Sequence, residues 1–373
     1  MKQVAVILCL LLYYSSGFAQ NFRRVSKYVH QISKENIASV DTLSLLIGAN
    51  FSRESERLRA IYGWICTNIS YDVDRMANPP SFRGDSAVHV TLKSRKAICS
   101  GYADLFISIC RALDIKAYYV SGYTKQNGVV ADLEHAWVAV RLTNGQWKLF
   151  DPTWGAGEWV NGDLVKRVSF EYFMVEPTLF LKTHMPFDPM WQLLYQPIKT
   201  EEFYGEKLPK DDDYLFNYND TIRDYHGLPE SKMYDDLMRR MTWAGVRNES
   251  ARRFYSKANK YYHIALESET LLQRELWLYA FDQQAKNYQT SLEMYDQLKG
   301  LEIDYRQRGV SIEQLLFSSA VLEKHTNDCL NSLRKLKEEK YADIQQLEIL
   351  AYKVEKIYEL IKKQNVIIRQ LEK

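Results

Sequence analysis

Proline is confined to one part of this 373-residue sequence. All nine prolines lie between Pro79 and Pro229, and the rest of the chain to its end has only Gly245, Gly300 and Gly309 as helix breakers. Because proline cannot continue a helix, this distribution predicts a mixed first part and a C-terminal part of long helices that break near those glycines. The composition, 46% hydrophobic and 26% charged, excludes a disordered or fibrous chain.

The first 20 residues have the pattern of a secretory signal peptide. Lys2 precedes an apolar run over residues 4–14, and small residues follow it up to Ala19. A membrane anchor is the alternative, but about a dozen apolar residues are too few for a bilayer span of roughly 20. We therefore expect residues 1–19 to be cleaved and the chain to be exported, to the periplasm or as a secreted protein, with no stable membrane insertion afterwards.

The remaining cysteines and the acidic residues give no sign of a metal site. Cys66, Cys99, Cys110 and Cys329 are too few for a disulfide scaffold, and their spacing contains no CxxC pair. The acidic run at 211–213 lacks the alternating oxygens and the glycine of a calcium loop. The net charge of +2 argues against nucleic acid as a partner. We expect no metal, no cofactor and no nucleic acid.

Helical and strand patterns follow one another in the first part. An amphipathic helix of about 17 residues is predicted from Ser52, and a second helix over residues 99–113. Strands are predicted over residues 117–123, 135–142 and 146–150. The last two flank Asn144-Gly145, which is typical of a tight hairpin. This order predicts an α+β domain in which the second helix packs on an antiparallel sheet.

The helical pattern of the C-terminal part begins near Ser231. In its last helix, apolar residues recur at alternating spacings of three and four and are interrupted only at Gln364: Leu347, Leu350, Val354, Ile357, Ile361, Ile368 and Leu371. Such a seam is typical of a helical bundle or a coiled coil. Two alternatives remain open: the seam packs against the chain's own helices, or it mediates self-association or partner binding.

Cys99 occupies the predicted first turn of the second helix, after the basic run at 93–96. Backbone N–H groups, the helix dipole and the nearby cations favour a thiolate there. Cys66 and Cys110 instead fall on apolar helical stripes. Cys99 is therefore the candidate nucleophile.

A histidine and an aspartate stand at the two open ends of the predicted hairpin. His135 begins its first strand and Asp151 directly follows its second, so the two should lie side by side. An imidazole oriented by a carboxylate and placed against a thiolate is the arrangement for acyl transfer. The alternative is a buried helical cysteine, a strand-edge histidine and a turn-capping aspartate.

Several blocks of this sequence resemble the transglutaminase-like superfamily. They are AICSGYADLF at 97–106, HAWV at 135–138 and LFDPTWG at 149–155. RAIYGWI at 59–65 and THMP at 183–186 are similar to the kyphoscoliosis-peptidase-like branch. The resemblance covers roughly residues 40–200 and does not extend to the helical tail.

The resemblance implies a papain-like fold and a role for each of three residues. Cys99 would be the nucleophile, His135 the general base and then acid, and Asp151 the group that orients His135. The backbone N–H of Cys99 can supply one oxyanion donor, but no Gln or Asn stands at 93–95 to supply the second.

Residues beside these three are candidates for substrate contact. Trp154 and Trp137 could wall an acyl-binding channel, although Trp137 could equally belong to the core. Gly101 and Tyr102 flank the thiol, where close packing is favoured over substrate contact. His184 has no assignable partner, and we expect a structural hydrogen bond there.

The predicted organisation is a signal peptide at 1–19, a catalytic domain at 20–200, a connection at 201–230 and a helical tail at 231–373. The favoured function is an exported cysteine acyl-transfer enzyme acting on protein or peptide. Water would resolve its thioester in a peptidase or amidase, and an amine would do so in a transglutaminase. The alternative is a noncatalytic binding scaffold with a helical assembly tail.

Overall fold

The structure is a computed structural model that describes residues 22–33, 37, 39–76, 83–160, 163–206, 215–225, 227–307, 309–340 and 342–371. The predicted signal peptide and the acidic run at 211–213 lie outside the described residues. The helices are α1 (22–32), α2 (Val40–Asn50), α3 (Glu54–Asn68), α4 (Val73–Met76), α5 (Asp85–Ser94), α6 (Cys99–Ala112), α7 (Pro177–Phe180), α8 (Thr200–Phe203), α9 (Tyr218–Tyr225), α10 (Glu230–Ala244), α11 (Glu249–Arg306), α12 (Ile312–Lys337) and α13 (Ile344–Leu371). The strands are β1 (Ser70–Tyr71), β2 (Lys96–Ala97), β3 (Lys116–Gln126), β4 (Val129–Val130), β5 (His135–Arg141), β6 (Trp147–Phe150), β7 (Gly157–Val160), β8 (Asp163–Lys166) and β9 (His184–Pro186).

A five-stranded antiparallel sheet, β4-β3-β5-β6 with β9 also on β3, occupies the first part of the chain. β5 and β6 form the predicted hairpin, and Gly145 in its turn has φ 84°, a conformation that favours glycine. β3 pairs with β5 from Lys116 to Gly122 and with β9 from Gly122 to Thr124. The sheet thus joins the hairpin to a segment more than 30 residues further along the chain.

Helix α6 packs its apolar stripe on this sheet, as the sequence predicts. Phe106 lies fully buried in one cluster with Val138 and Val140 of β5. Its ring centroid lies 5.2 Å from that of Phe150 at the end of β6. The predicted α+β architecture, with the Cys99 helix packed on an antiparallel sheet, is confirmed.

The C-terminal part is helical, as predicted, but one of the three expected breaks is wrong. α10 ends at Gly245, which has φ 94°, and Gly309 lies between α11 and α12. Gly300 instead lies within the 58-residue α11, on an exposed face where a Cβ would meet nothing within 4 Å. Glycine there costs only about 1 kcal/mol relative to alanine, which a long packed helix tolerates.

The apolar seam of α13 packs against the chain's own helices. Val354 shares a cluster with Trp277 of α11 and Cys329 of α12. Ile361 shares another with Leu298 and Leu315 of the same two helices. Gln364, where the pattern is interrupted, is also buried and donates to Glu302. The first of the two open alternatives for the seam is therefore the one observed.

Contacts divide the chain into two compact units, the first ending at Tyr262 and the second spanning His263–Lys373. The predicted domain limits at residues 200 and 230 fall within the first unit and stay predictions. Among the described helices, none combines the length and the apolar content needed to cross a bilayer.

Candidate active site

Cys99 is the first residue of α6 and is half-buried. The two-residue strand β2 leads directly to it and pairs in parallel with β1. The N-cap residue, Ile98, makes no side-chain hydrogen bond to the helix. The first backbone N–H groups of a helix have no partner within the helix, so they are available to an anion beside the thiol.

The hairpin brings His135 and Asp151 together, as its turn predicts. Nε2 of His135 lies 2.7 Å from Oδ2 of Asp151, and both side chains are buried. Cys99 is close enough to the His135 ring to contribute to the raised pKa of that ring. The imidazole is thus hydrogen bonded to the carboxylate and lies within electrostatic range of the thiol.

The groups around His135 determine whether its ring is protonated. Burial alone would lower the pKa of His135, but the Asp151 carboxylate and the hydrogen bonds to Asp151 and Cys99 raise that pKa to about 10. Burial would likewise raise the pKa of Asp151, yet the two neighbouring histidines hold it well below its usual range. His135 is therefore a protonated ring beside an ionised carboxylate at neutral pH.

The Asp151 carboxylate is fixed from several directions. Its Oδ1 accepts the backbone N–H groups of Thr153 at 2.8 Å and Trp154 at 3.1 Å. Its own backbone carbonyl accepts the Tyr62 hydroxyl at 3.1 Å. The expected turn-capping role of this aspartate is thus present together with the contact to His135.

His184 is a second histidine at the same carboxylate, and the sequence does not predict this contact. Its Nε2 lies 3.1 Å from Oδ2 of Asp151, and its side chain is fully buried. Burial lowers the pKa of His184 to about 4. The THMP block marks this residue, but its partner depends on the pairing of β9 with β3, for which the sequence carries no local signal.

Both tryptophan rings lie close to the His135 ring. Trp154 is half-buried, with its ring centroid 5.8 Å from that of His135. Trp137 is only 1% exposed and packs against Phe180 and His184. Trp154 is therefore the one of the two that an incoming substrate can reach.

Gly101 and Tyr102 serve the packing of α6, which is the favoured of the two alternatives for them. A Cβ on Gly101 would lie 2.8 Å from the Ala97 Cβ and 2.9 Å from the Thr91 hydroxyl oxygen. Tyr102 has no exposed surface, and its hydroxyl donates to the Ile69 carbonyl at 2.7 Å. Neither residue offers a surface to a substrate.

Two side chains of the segment before α6 hydrogen bond to backbone carbonyl groups. Arg95 takes a left-handed conformation at φ 57° and donates to the Ile37 carbonyl. The Ser94 hydroxyl donates to the Val90 carbonyl of its own helix.

Tyr71 of β1, paired with Ala97, is half-buried. Burial raises the pKa of its hydroxyl, and electrostatic interactions with Cys99 and Asp151 raise that pKa further. A phenol thus lies within electrostatic range of the site, although the sequence does not single it out.

The two histidines and Asp151 also meet a geometric requirement of a metal site. One ligand atom from each lies within 4.8 Å of the others. Both ring nitrogens, however, are at hydrogen-bond distance from the same carboxylate oxygen. The distances therefore fit direct hydrogen bonds, and the expected absence of a metal stays a prediction.

Comparison with known proteins identifies a family for the segment that contains this site. The sequence model of the transglutaminase-like superfamily matches residues 46–152, which include Cys99, His135 and Asp151. Human kyphoscoliosis peptidase is 31% identical over 209 residues, 52% of this chain and 30% of that protein. The Caenorhabditis elegans Lim and transglutaminase domain protein ltd-1 is 25% identical over 58% of this chain and 31% of its own length. Drosophila melanogaster Hillarin is 24% identical over 53% and 26%, respectively.

The matches therefore cover less than a third of each of these relatives. They agree with the predicted transglutaminase-like fold of this segment. Residues 46–152 thus form a domain of the transglutaminase-like superfamily, and this part of the chain is similar to the kyphoscoliosis peptidases.

Proposed function

We propose that this protein is a cysteine acyl-transfer enzyme that acts on peptide or side-chain amides. The observation that carries the proposal is the 2.7 Å hydrogen bond between His135 and Asp151, with Cys99 at the start of α6 within electrostatic range of the His135 ring. A thiol at a helix N-terminus beside a histidine with a raised pKa is suited to nucleophilic attack.

The reaction proceeds in two steps. The Cys99 thiolate attacks the amide carbonyl carbon, and the carbonyl electron pair moves to oxygen, where the Cys99 backbone N–H stabilises it. His135 gives its proton to the departing amine as the carbon–nitrogen bond breaks, and a thioester remains. An acceptor then adds to the thioester carbonyl and loses a proton to His135, and the thiolate leaves.

Water is the proposed acceptor, which makes the enzyme a peptidase or amidase. The names of the human and mouse relatives, both kyphoscoliosis peptidases, support hydrolysis. A primary amine is the other acceptor for the same thioester, and it would make the enzyme a transglutaminase. The two outcomes differ only in the second step.

The test is mass spectrometry of the purified protein incubated with a peptide library, with and without a primary amine. We expect cleaved peptides with the wild type and none with Cys99→Ala, which lacks the nucleophile. Amine-adducted peptides would identify a transglutaminase. If no product forms and iodoacetamide labels Cys99 no faster than an unfolded cysteine, the enzyme proposal fails and the noncatalytic scaffold is favoured.

A further inference from the structure

We propose that His184 is a positioning residue that acts through Asp151 to hold His135 in line with Cys99. This inference rests on the proposed function, because it assigns a role within that same site. It assigns to His184 no contact with the substrate and no transfer of the reacting proton.

Hydrogen bonds on both sides of the His184 ring fix its tautomer. Nδ1 lies 2.8 Å from the Thr183 hydroxyl, and Nε2 lies 3.1 Å from Oδ2 of Asp151. A carboxylate can only accept, so Nε2 carries the proton. Because burial keeps the ring neutral, Nδ1 has no proton and accepts the Thr183 hydroxyl at 2.8 Å, a shorter contact than the 3.3 Å from that hydroxyl to the Phe180 carbonyl. The ring is then a neutral donor aimed at the carboxylate.

The surroundings of His184 keep it neutral and still. Its ring stacks on Phe180 with centroids 4.0 Å apart, and Trp154 lies 4.5 Å away. Residue 184 is 1% exposed, and its strand, β9, is paired to β3 at Thr124. A second cation beside the protonated His135 would be repelled, so only a neutral ring fits here.

His184 completes the hydrogen bonding of Asp151. Oδ1 is held by two backbone N–H groups, and Oδ2 receives the two histidine rings. Without His184, one of the two side-chain contacts that define the position of Oδ2 is lost. Because Oδ2 orients His135, the alignment of His135 with the Cys99 sulfur then loosens.

The test measures the rate at which iodoacetamide alkylates Cys99 at pH 7, a reaction that needs no substrate. His184→Leu removes both ring nitrogens, and we expect alkylation to slow by about tenfold or more. His184→Gln places an amide N–H near the position of Nε2 and should restore most of the lost rate. Phe187→Leu removes another buried ring, which stacks on Phe254 in a separate cluster, and should leave the rate unchanged.

A double-variant cycle separates positioning from general packing. If His184 acts through Asp151, then His184→Leu should slow alkylation far less in an Asp151→Asn background than in the wild type. Thr183→Val, which removes the partner of Nδ1 and is nearly isosteric, should also slow alkylation and serves if His184→Leu does not fold. Equal slowing by His184→Leu in both backgrounds, or wild-type rates in both His184→Leu and Thr183→Val, would overturn the proposal.

The same measurement distinguishes this inference from the proposed function. A wild-type Cys99 that reacts no faster than an unfolded cysteine contradicts the proposed function, and with it the assignment of His184. A fast wild-type Cys99 that is insensitive to His184→Leu contradicts the role of His184 alone.

Discussion

Asp151 is hydrogen bonded to two imidazole rings. The pKa of one ring is raised above the ordinary histidine value and that of the other is lowered below it. Burial lowers the pKa of both rings, but the Asp151 carboxylate, together with Cys99, raises the pKa of His135 to about 10. His184 shares the carboxylate with a ring that is already charged, and its pKa falls to about 4. At neutral pH, one of the two imidazole rings is therefore protonated and positively charged, and that ring is His135, beside the thiol.

Replacing Asp151 by asparagine should reverse the charge state of His135. Without the carboxylate, burial dominates, and we expect the pKa of His135 to fall from about 10 to below the ordinary 6.5. The turnover rate should fall by about a thousandfold or more, because the proton for the leaving group is lost at pH 7. NMR titration of the His135 ring measures the shift.

The control for that variant is Asp188→Asn. Asp188 is also buried, but it pairs with Arg240 at 2.7 Å and not with a histidine. We expect it to lower stability while the pKa of His135 stays raised. A His135 pKa that stays near 10 in Asp151→Asn would show that Asp151 is not the source of the raised value.

The raised pKa of His135 also predicts how stability depends on pH. A group whose folded pKa lies above its unfolded value of 6.5 binds its proton more tightly in the folded state. Its contribution is complete below pH 6.5 and is lost as the pH rises to about 10. The free energy of unfolding, measured by urea titration across this range, should therefore fall more steeply in the wild type than in His135→Gln.

The comparison with a variant is needed because Lys166 acts in the opposite direction. Burial lowers the pKa of Lys166 to about 8, so its contribution to stability rises as the pH increases from there. The difference between wild type and His135→Gln removes this shared effect. Equal slopes for the two proteins would contradict the raised pKa of His135.

At the scale of elements, local signals predict α6 and the β5–β6 hairpin, and with them the contact between His135 and Asp151. The turn residues Asn144 and Gly145 join strands that are adjacent in sequence. β9 is different, because three residues pair with a strand about 60 positions earlier. A pairing this distant leaves no short-range pattern, and His184 is therefore missed as a partner of Asp151.

Two glycines in helices give opposite predictions for the change to alanine. At Gly101, the added Cβ would lie 2.8 Å from the Ala97 Cβ, so overpacking should destabilise the protein by about 1–3 kcal/mol. Because Gly101 lies two residues after Cys99, alkylation of the thiol should also slow. Urea unfolding and iodoacetamide labelling measure the two effects.

Gly300→Ala is the matched control, since Gly300 also lies in a helix but faces open space. There the gain in helix propensity should stabilise the protein by about 0.5–1 kcal/mol and leave alkylation of Cys99 unchanged. If Gly101→Ala were also stabilising, the close packing of α6 against Ala97 and Thr91 would be wrong.

At the scale of the whole molecule, the last proline, Pro229, marks where the long helices begin. The boundary between the two contact units lies later, after Tyr262. Met241 of α10 and Ala258 of α11 share a cluster with Tyr123 of β3 and Met185 of β9. These helices follow the last proline, yet they pack with the sheet. Local sequence patterns predict that a segment is helical, but they do not predict which element the helix packs against, because that depends on tertiary packing.

The two contact units predict that unfolding is not a single step. Leu58 is fully buried in the first unit and Leu315 in the second. Truncating either to alanine should cost about 2–5 kcal/mol, but only within its own unit. Calorimetry should therefore show two transitions, with Leu58→Ala lowering the midpoint temperature of one and Leu315→Ala that of the other.

The control is Phe317→Ala, on the same helix as Leu315 but at a 72% exposed position, which should change neither midpoint. A single transition lowered equally by both leucine variants would contradict the independent unfolding of the two units.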